Sequence, residues 1–222
     1  EFRRVLFRSA LPGVQHSYVV RAVYAGGVSL PSAPDAGYRN VAAPAGVAAT
    51  DGTFADKVLV TWSAVTGGVS YRVYRGATEV GTSDGTSFAD VGATPGASYA
   101  YAVRANGQVG TGAPSTANTG YRALAAPAGL TASDGTSVVK VDLAWGAVEG
   151  ATGYAIYRDG AATPLASVGA VLTYADTAAV RGVQHSYVVR AAASTGVGAA
   201  SAPDTDRKST RLNSSHLVIS YA

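Results

Sequence analysis

The chain has 222 residues, which suits one or two domains, and it contains 17 Lys and Arg, 14 Asp and Glu, and no Cys. Without Cys the fold must be held together by packing, with no disulfide bond. The sequence therefore does not indicate whether the protein belongs to an oxidising or a reducing compartment. Apolar runs are interrupted by Gly, Ser or Arg well before the roughly 18 residues of a membrane span, so we expect no membrane insertion.

An internal repeat organises the chain. Residues 43–46 (APAG) recur as residues 126–129, an offset of 83, and residues 13–22 (GVQHSYVVRA) recur verbatim as residues 182–191, an offset of 169. The second offset equals two periods plus three residues. A period near 83 exceeds the roughly 20 to 50 residues of a solenoid unit and suits a small self-contained domain. We therefore predict a tandem array of small domains.

The repeat divides the chain into segments. In chain order we predict a foreign-looking tail at 1–9, the C-terminal part of a truncated repeat at 10–41, a complete domain at 42–124, a further domain at 125–205 and a second foreign-looking tail at 206–222. The three extra residues of the last repeat fall between Tyr157 and Tyr187. Loops absorb such insertions at little cost, so we place them in a loop.

Both tails break the repeat abruptly. Residues 1–9 (EFRRVLFRS) and 206–222 (DRKSTRLNSSHLVISYA) resemble translated adapter or vector sequence, and we exclude them from fold reasoning. A natural basic tail is the alternative. The tails hold six of the 17 basic and two of the 14 acidic residues, which leaves 11 basic and 12 acidic residues in the repeats. The basic balance of the whole chain therefore gives no reason to expect nucleic acid binding.

Period-two alternation predicts β-strands within each repeat. Val58, Val60 and Trp62 lie on one face of a strand, and the same pattern returns 83 residues later and ends at Trp145. Gly or Pro interrupts the chain at short intervals, and no segment has an apolar stripe of helical spacing. About seven short strands per repeat predict an all-β fold, an antiparallel sandwich.

Several pieces in a fixed order resemble the fibronectin type III family. They are a Pro/Ala-rich entry at 42–44, a second strand that ends at Trp62 or Trp145, a third strand YRVYR at 71–75, a sixth strand at 95–105 and GAPS at 112–115. The resemblance covers roughly residues 10–205. It implies tandem seven-stranded, immunoglobulin-like β-sandwiches, of which residues 10–41 retain only the last two strands, F and G. Because a lone hairpin is marginal in water, we expect residues 10–41 to be poorly packed unless they dock on the next domain.

The resemblance also assigns roles to individual residues. It implies that Trp62 and Trp145 anchor the core between the two sheets, and that Tyr99 is the corner tyrosine of the sixth strand. His16 and His185 take that position in the other two copies. We expect these imidazoles to bond nearby backbone, in preference to a metal or catalytic role, because no carboxylate or second His recurs beside them at metal-ligand spacing.

One motif invites a catalytic interpretation. Residues 81–85 (GTSDG) match the Gly-x-Ser-x-Gly nucleophile elbow around Ser83, which requires a strained turn from a strand into a helix. We predict a loop between strands at this point, with no helix after it, and the next repeat lacks the motif. Chance occurrence in a chain rich in Gly and Ser explains the match better.

The acidic residues do not form a recognisable site either. Glu79 and Glu149 are the only Glu residues of the repeats and neither recurs, which disfavours the paired carboxylates of a glycoside hydrolase. Asp51, Asp84 and Asp134 each begin an Asp-Gly-Thr triplet, which favours a tight turn over a calcium loop. We expect no catalytic, cofactor-binding or metal-binding residues, and no cofactor.

Tyrosines keep a ligand-binding role open. In the third strand of each repeat, Tyr74 and Tyr157 point to the face opposite that of Tyr71 and Tyr154, so each of these strands can present one ring on either face. Burial of such a ring against a neighbouring strand is more common than exposure.

We predict a non-enzymatic, monomeric spacer or interaction module of a larger secreted or cell-surface protein, the localisation resting on family analogy. The alternative is a weak carbohydrate- or protein-binding module, with a polysaccharide or a cell-surface protein as its partner, accessory to a secreted polysaccharide-degrading enzyme.

Overall fold

The structure is a computed structural model that describes residues 10–135, 137 and 139–205. The two tails that the sequence analysis excluded lie outside these residues. Contacts divide the chain between Ala123 and Leu124 into two compact units. Within the described residues every element is a strand, the strand pairs are antiparallel and no helix occurs, which confirms the all-β prediction. No helix in this part of the chain is long and apolar enough to cross a membrane.

The first unit begins with a small hairpin-like piece. Its strands are β1 (Gln15–Tyr18), β2 (Val23–Tyr24), β3 (Gly27–Val28) and β4 (Asp35–Tyr38). Strand β1 pairs with β4, and β2 pairs with β3. Val20, Val23 and Leu30 are 72%, 75% and 88% exposed. These three apolar side chains of the piece thus face solvent.

The first whole sandwich follows in the same unit. Its strands are β5 (Ala48–Ala49), β6 (Val58–Thr61), β7 (Ser70–Arg75), β8 (Thr78–Ser83), β9 (Ser87–Asp90), β10 (Ser98–Asn106) and β11 (Asn118–Tyr121). They form a sheet ordered β5-β6-β9 and a sheet ordered β11-β10-β7-β8. Val58 and Val60 are fully buried, and Trp62 is buried against Tyr71 with the ring centres 5.3 Å apart. The predicted inward face and the anchor role of Trp62 are confirmed.

The second unit holds an equivalent sandwich. Its strands are β12 (Thr131–Ala132), β13 (Val141–Ala144), β14 (Gly153–Arg158), β15 (Ala166–Val168), β16 (Thr173–Asp176), β17 (Ser186–Ala193), β18 (Gly196–Ala200) and β19 (Asp204–Thr205). The sheets are ordered β12-β13-β16 and β15-β14-β17-β18, with β19 also paired to β17. Trp145 is buried against Tyr154 at 5.5 Å, which confirms its anchor role. Leu124 lies in this core, so packing begins one residue before the repeat boundary read from the sequence.

The three extra residues of the second sandwich lie between β14 and β16. Residues 159–165 join β14 to β15, where only Gly76 and Ala77 join β7 to β8; β15 is three residues shorter than β8, and the connection 169–172 is one residue longer than its counterpart 84–86. The longer connections agree with the prediction that loops carry the insertion. The connection begins at Asp159, whose φ of 54° is the one positive value among non-glycine residues in the described part of the chain. Gly76 takes the equivalent position with a φ of 59°.

Candidate functional site

A buried aspartate lies at the centre of each whole sandwich. In the first, Asp90 ends β9, and its Oδ2 accepts hydrogen bonds from Arg75 Nη1 at 2.8 Å and from the Tyr101 hydroxyl at 2.9 Å. Its Oδ1 accepts from Gly92 N–H at 3.0 Å. Asp90 is only 4% exposed. The charge is therefore paired and hydrogen-bonded, as burial of a carboxylate requires.

The same arrangement recurs in the second sandwich. Asp176 Oδ2 accepts from Arg158 Nη1 at 2.7 Å and from the Tyr187 hydroxyl at 3.0 Å, while Oδ1 accepts from Ala178 N–H at 3.0 Å. The hydrogen bond to Asp176 raises the pKa of the Arg158 guanidinium. Burial, aided by the adjacent carboxylate, likewise raises the pKa of the Tyr101 phenol in the first sandwich. The cluster joins the two sheets, because Asp176 lies in β16 and its two side-chain partners lie in β14 and β17 of the other sheet.

Two tyrosines of β10 take different positions in the structure. The resemblance assigned the corner role to Tyr99, whereas the fully buried tyrosine is Tyr101, two residues further along β10, and its hydroxyl bonds the Asp90 side chain. Tyr99 is only partly buried at the edge of the core, with the Arg75 guanidinium 5.0 Å from its ring centre. Because residues 99 and 101 share one strand face, alternation could not decide between them.

His185 takes the structural role that was predicted for it. Its Nε2 accepts a hydrogen bond from Val180 N–H at 3.1 Å, so Nδ1 carries the proton and donates to Asp159 Oδ2 at 2.7 Å. Asp159 Oδ1 accepts from Ser186 N–H at 2.9 Å. The fold thus supplies a carboxylate that the sequence spacing did not show. Although partial desolvation acts in the opposite direction, the bonds from Ser186 and His185 lower the pKa of Asp159 below its ordinary value of 3.8.

The serine of the elbow-like motif is bound within its own loop. Ser83 is the last residue of β8, and its hydroxyl donates to Ser87 O at 2.8 Å and accepts from Gly85 N–H at 3.1 Å. The chain continues directly into β9, with no helix after the turn. The strand-to-helix geometry that activates such a serine is therefore missing at this position.

Two of the three glycines in the Asp-Gly-Thr triplets adopt the left-handed backbone conformation. Gly52 and Gly135, which follow Asp51 and Asp134, have φ values of 64° and 60°, a conformation that glycine adopts at no steric cost. Within the described residues no three His, Asp or Glu side chains are grouped as metal ligands.

A half-exposed pair of a tyrosine and an arginine is repeated on the outer face of the larger sheets. The Arg104 guanidinium lies 5.9 Å from the ring centre of Tyr74, and the Arg190 guanidinium lies 5.8 Å from that of Tyr157. Both distances are within the range of a cation–π interaction. In the second sandwich this pair borders a shallow depression that also includes Val188. As predicted from their alternation along the strand, Tyr71 and Tyr154 are buried, whereas the Tyr74 and Tyr157 rings on the opposite face are half-exposed.

The aspartate clusters are the residues that sequence reasoning missed. The bond from Gly92 N–H to Asp90 Oδ1 is an Asx turn, which is common for an Asp at a strand end. The signal for the larger role was present in the repeat: Asp90 and Asp176 are 86 residues apart, the same offset as Tyr101 and Tyr187. A shared offset marks groups that keep the same neighbours in both copies.

The comparison with solved structures decides the fold. The chain is similar to a two-domain fibronectin type III segment of chicken tenascin, with a TM-score of 0.60 and 16% identity over 74% of this chain and 99% of the tenascin segment. The chain has the fibronectin type III fold. At this identity the likeness shows the fold and nothing further.

Two other solved structures carry fibronectin type III domains with lower TM-scores. A fibronectin type III-like protein from Clostridium thermocellum is 30% identical over 39% of this chain and 94% of that protein, with a TM-score of 0.36. The FN1–FN3 domains of chicken CNTN1 are 19% identical over 86% of this chain and 78% of theirs, with a TM-score of 0.35. No protein-family profile matches the chain, and no curated protein sequence matches it at a significant level.

Proposed function

We propose that the chain is a non-catalytic spacer and interaction module of a larger secreted or cell-surface protein, and that residues 10–41 are the end of a truncated fibronectin type III repeat. The observation that carries the proposal is the joint between this piece and the first whole sandwich. A spacer holds its neighbours at a defined distance only where consecutive domains are fixed to each other.

The joint combines hydrogen bonds to backbone carbonyls with one buried side chain. Gly13 O accepts a hydrogen bond from Val109 N–H at 2.8 Å, and Asn40 Nδ2 donates to Thr111 O at 2.9 Å. Val41, which links the two pieces, is 4% exposed and lies in the core cluster of the whole sandwich. The linker is therefore anchored and not free to act as a flexible tether.

Glycine is required where the two pieces touch. A Cβ on Gly107 would lie 2.5 Å from Gly13 Cα, and a Cβ on Gly67 would overlap the Pro12 carbonyl. Gly110 lies under the Tyr38 ring, which a Cβ would approach to 2.9 Å. A residue with a side chain at these positions would push the pieces apart, so the sequence supports a close-packed joint.

The test is the width of a distance distribution across the joint. Because the chain has no Cys, single cysteines at Ser17 and Asp84 can carry spin labels for pulsed electron resonance. We expect a narrow distribution in the parent chain and a broad one in Gly107→Ala. Gly85→Ala is the control, since its Cβ would meet only the Ser83 hydroxyl at 3.8 Å. A broad distribution in the parent chain would refute the semi-rigid spacer.

A second candidate function is weak binding of a polysaccharide or a cell-surface protein. The observation that favours it is the repeated pair of Tyr74 with Arg104 and of Tyr157 with Arg190 on the outer faces. A ring with an adjacent cation presents both a stacking surface and hydrogen-bond donors, which suit a sugar. We expect the double variant Tyr74→Ala, Tyr157→Ala to lose retardation on a polysaccharide gel. Tyr24→Ala, at a ring that is 62% exposed elsewhere, should not change it.

A further inference from the structure

The outer faces of the two whole sandwiches differ by one carboxylate. In the first, Glu79 of β8 lies opposite Tyr74 of β7, and its Oε2 accepts a hydrogen bond from the Tyr74 hydroxyl at 3.3 Å. The same oxygen lies 3.5 Å from Arg72 Nη1. Arg104, from the neighbouring strand β10, lies beside the Tyr74 ring. A carboxylate of the chain itself is thus bound at this pair of a tyrosine and an arginine.

The second sandwich keeps the ring and the cation but has no such carboxylate. Tyr157 and Arg190 form the equivalent pair, with 5.8 Å between the guanidinium and the ring centre. The connection 159–165 replaces the first part of β8, and its residues 160–165 (GAATPL) contain no acid. The counterpart of Glu79 is therefore missing.

Hydrogen-bond donors remain available at the second pair. Arg190 Nη1 donates to Gly198 O at 3.4 Å, and within the described residues neither the rest of this guanidinium nor the Tyr157 hydroxyl has a hydrogen-bond partner. Asp159, the nearest acid along the chain, is already bonded to His185. Tyr157 and Arg190 are both half-exposed, so a ligand can reach their donors.

A depression with a volume of about 410 Å³ adjoins these donors. Its apolar lining includes the Tyr157 ring, Val188, Ala161 and Ala162, and Arg190 supplies a positive charge. Ligand sites commonly combine a concave apolar surface with a few polar groups that orient the ligand. The polar groups here are a guanidinium and a hydroxyl, which can both donate to one carboxylate.

We propose that this depression binds a uronic acid unit of an acidic polysaccharide, with the sugar carboxylate in the position that Glu79 takes in the first sandwich. The carboxylate accepts hydrogen bonds from the Tyr157 hydroxyl and the Arg190 guanidinium. The C–H face of the sugar ring packs on the apolar lining formed by Val188 and the two alanines. This inference rests on the second candidate function, weak polysaccharide binding, and adds the class of sugar and the sandwich that binds it.

The combination of apolar lining and donors favours a sugar over an acidic peptide. In a uronic acid the carboxyl group is attached directly to a ring with an apolar C–H face, so a single unit contacts both parts of the depression. In Asp and Glu the carboxyl group ends a flexible chain of one or two methylene groups, which covers less apolar surface and loses more conformational freedom on binding.

The test measures retardation of the full chain in gels that contain polygalacturonate, with the methyl ester of the same polymer as the matched neutral probe. We expect the acid to bind more tightly than the ester by about tenfold, as for one hydrogen bond to a charged group. Arg190→Gln should weaken binding of the acid by a similar factor. Arg181→Gln removes the same charge from an exposed position outside the depression and should leave binding unchanged. Equal losses in the two variants would overturn the proposal, because unspecific attraction between charges would explain them.

Moving the carboxylate between the sandwiches tests its assigned position. Ala162→Glu places an acid beside the pair of the second sandwich and should weaken binding relative to Ala162→Gln, which adds the same bulk without the charge. Glu79→Gln removes the internal acid of the first sandwich and should add a second site, measured by calorimetry with a galacturonate trisaccharide. Equal binding by the two Ala162 variants, or no added site in Glu79→Gln, would overturn the proposal.

The remaining outcomes separate this inference from the second candidate function. Equal retardation by the acid and the ester, lost in Tyr157→Ala, would support polysaccharide binding and overturn the acidic class. Retardation by polyglutamate as strong as that by polygalacturonate would overturn the assignment to a sugar. Absence of retardation by both forms of the polymer would overturn the inference and leave the second candidate function to its own test.

Discussion

The ring of His185 is bound to Asp159 in the second sandwich, with 2.7 Å between Nδ1 and Oδ2. Both residues are replaced together in the first sandwich, where Tyr99 and Gly76 take the equivalent positions. Asp159 adopts the positive φ that glycine adopts without cost, and it is held there by bonds to His185 and Ser186. The residues at these two positions therefore change together between the sandwiches: His185 occurs with Asp159, and Tyr99 occurs with Gly76.

We predict that Asp159→Gly and His185→Tyr are coupled. Each single variant breaks the bond and should destabilise the second sandwich, while the double variant recreates the combination found in the first. The double variant should be more stable than the sum of the singles predicts, by about 0.5 to 3 kcal/mol. The measurement is a double-mutant cycle of urea unfolding, followed by hydrogen exchange of the amides in β17.

The reciprocal exchange in the first sandwich serves as the control. Gly76→Asp alone places an unpaired carboxylate at a φ of 59°, and Tyr99→His in the same chain should recover part of the loss. Additive free energies in both sandwiches would contradict the coupling.

A second prediction concerns acid. Since the pKa of Asp159 is lowered in the folded state, its contribution to stability is complete above the unfolded value of about 4 and is lost as the pH falls through the lowered folded value. The unfolding free energy of the second sandwich should therefore exceed that of Asp159→Asn at pH 6. The difference should shrink below about pH 4.

Urea unfolding of both proteins at a series of pH values between 6 and 3 measures this difference. The facing groups are His185, Arg158 and the Ser186 amide. A difference that stayed constant down to pH 3 would show that the carboxylate charge contributes nothing.

A third prediction separates the two strand tyrosines of the first sandwich. Tyr101→Phe removes a buried hydroxyl from Asp90 and leaves the carboxylate one partner short, which should cost about 1 to 3 kcal/mol. Tyr99→Phe, at the edge of the core, should change stability by less than about 0.5 kcal/mol. Chemical unfolding of both variants checks the ranking, and equal costs would contradict it.

These residues also mark how far the sequence could predict the structure. Alternation identified the inward face of β6 because a half-buried strand repeats its environment every two residues. It could not choose between Tyr99 and Tyr101, which share a face. The choice depends on Asp90, which reaches residue 101 only when the two sheets pack on each other.

The partner of His185 could not be predicted for a similar reason. Asp159 is 26 residues away, in a connection that is longer than its counterpart, so neither local spacing nor the repeat brings the two together. The fold does so because β14 and β17 are paired, with Arg158 opposite Tyr187. Site chemistry that depends on strand pairing becomes visible only once the register is known.

A fourth prediction uses the two copies of one serine. Ser201 Oγ accepts from the buried Val189 N–H at 3.0 Å, and Ser32 Oγ accepts from the exposed Val20 N–H at the same distance. Ser201→Ala leaves a buried amide without its acceptor and should cost about 1 to 3 kcal/mol in the second sandwich. Ser32→Ala should cost less than about 0.5 kcal/mol, because water reaches the exposed Val20 amide. Hydrogen exchange of the Val20 and Val189 amides measures both effects. A large cost at Ser32 would contradict the exposure of Ser32 and Val20.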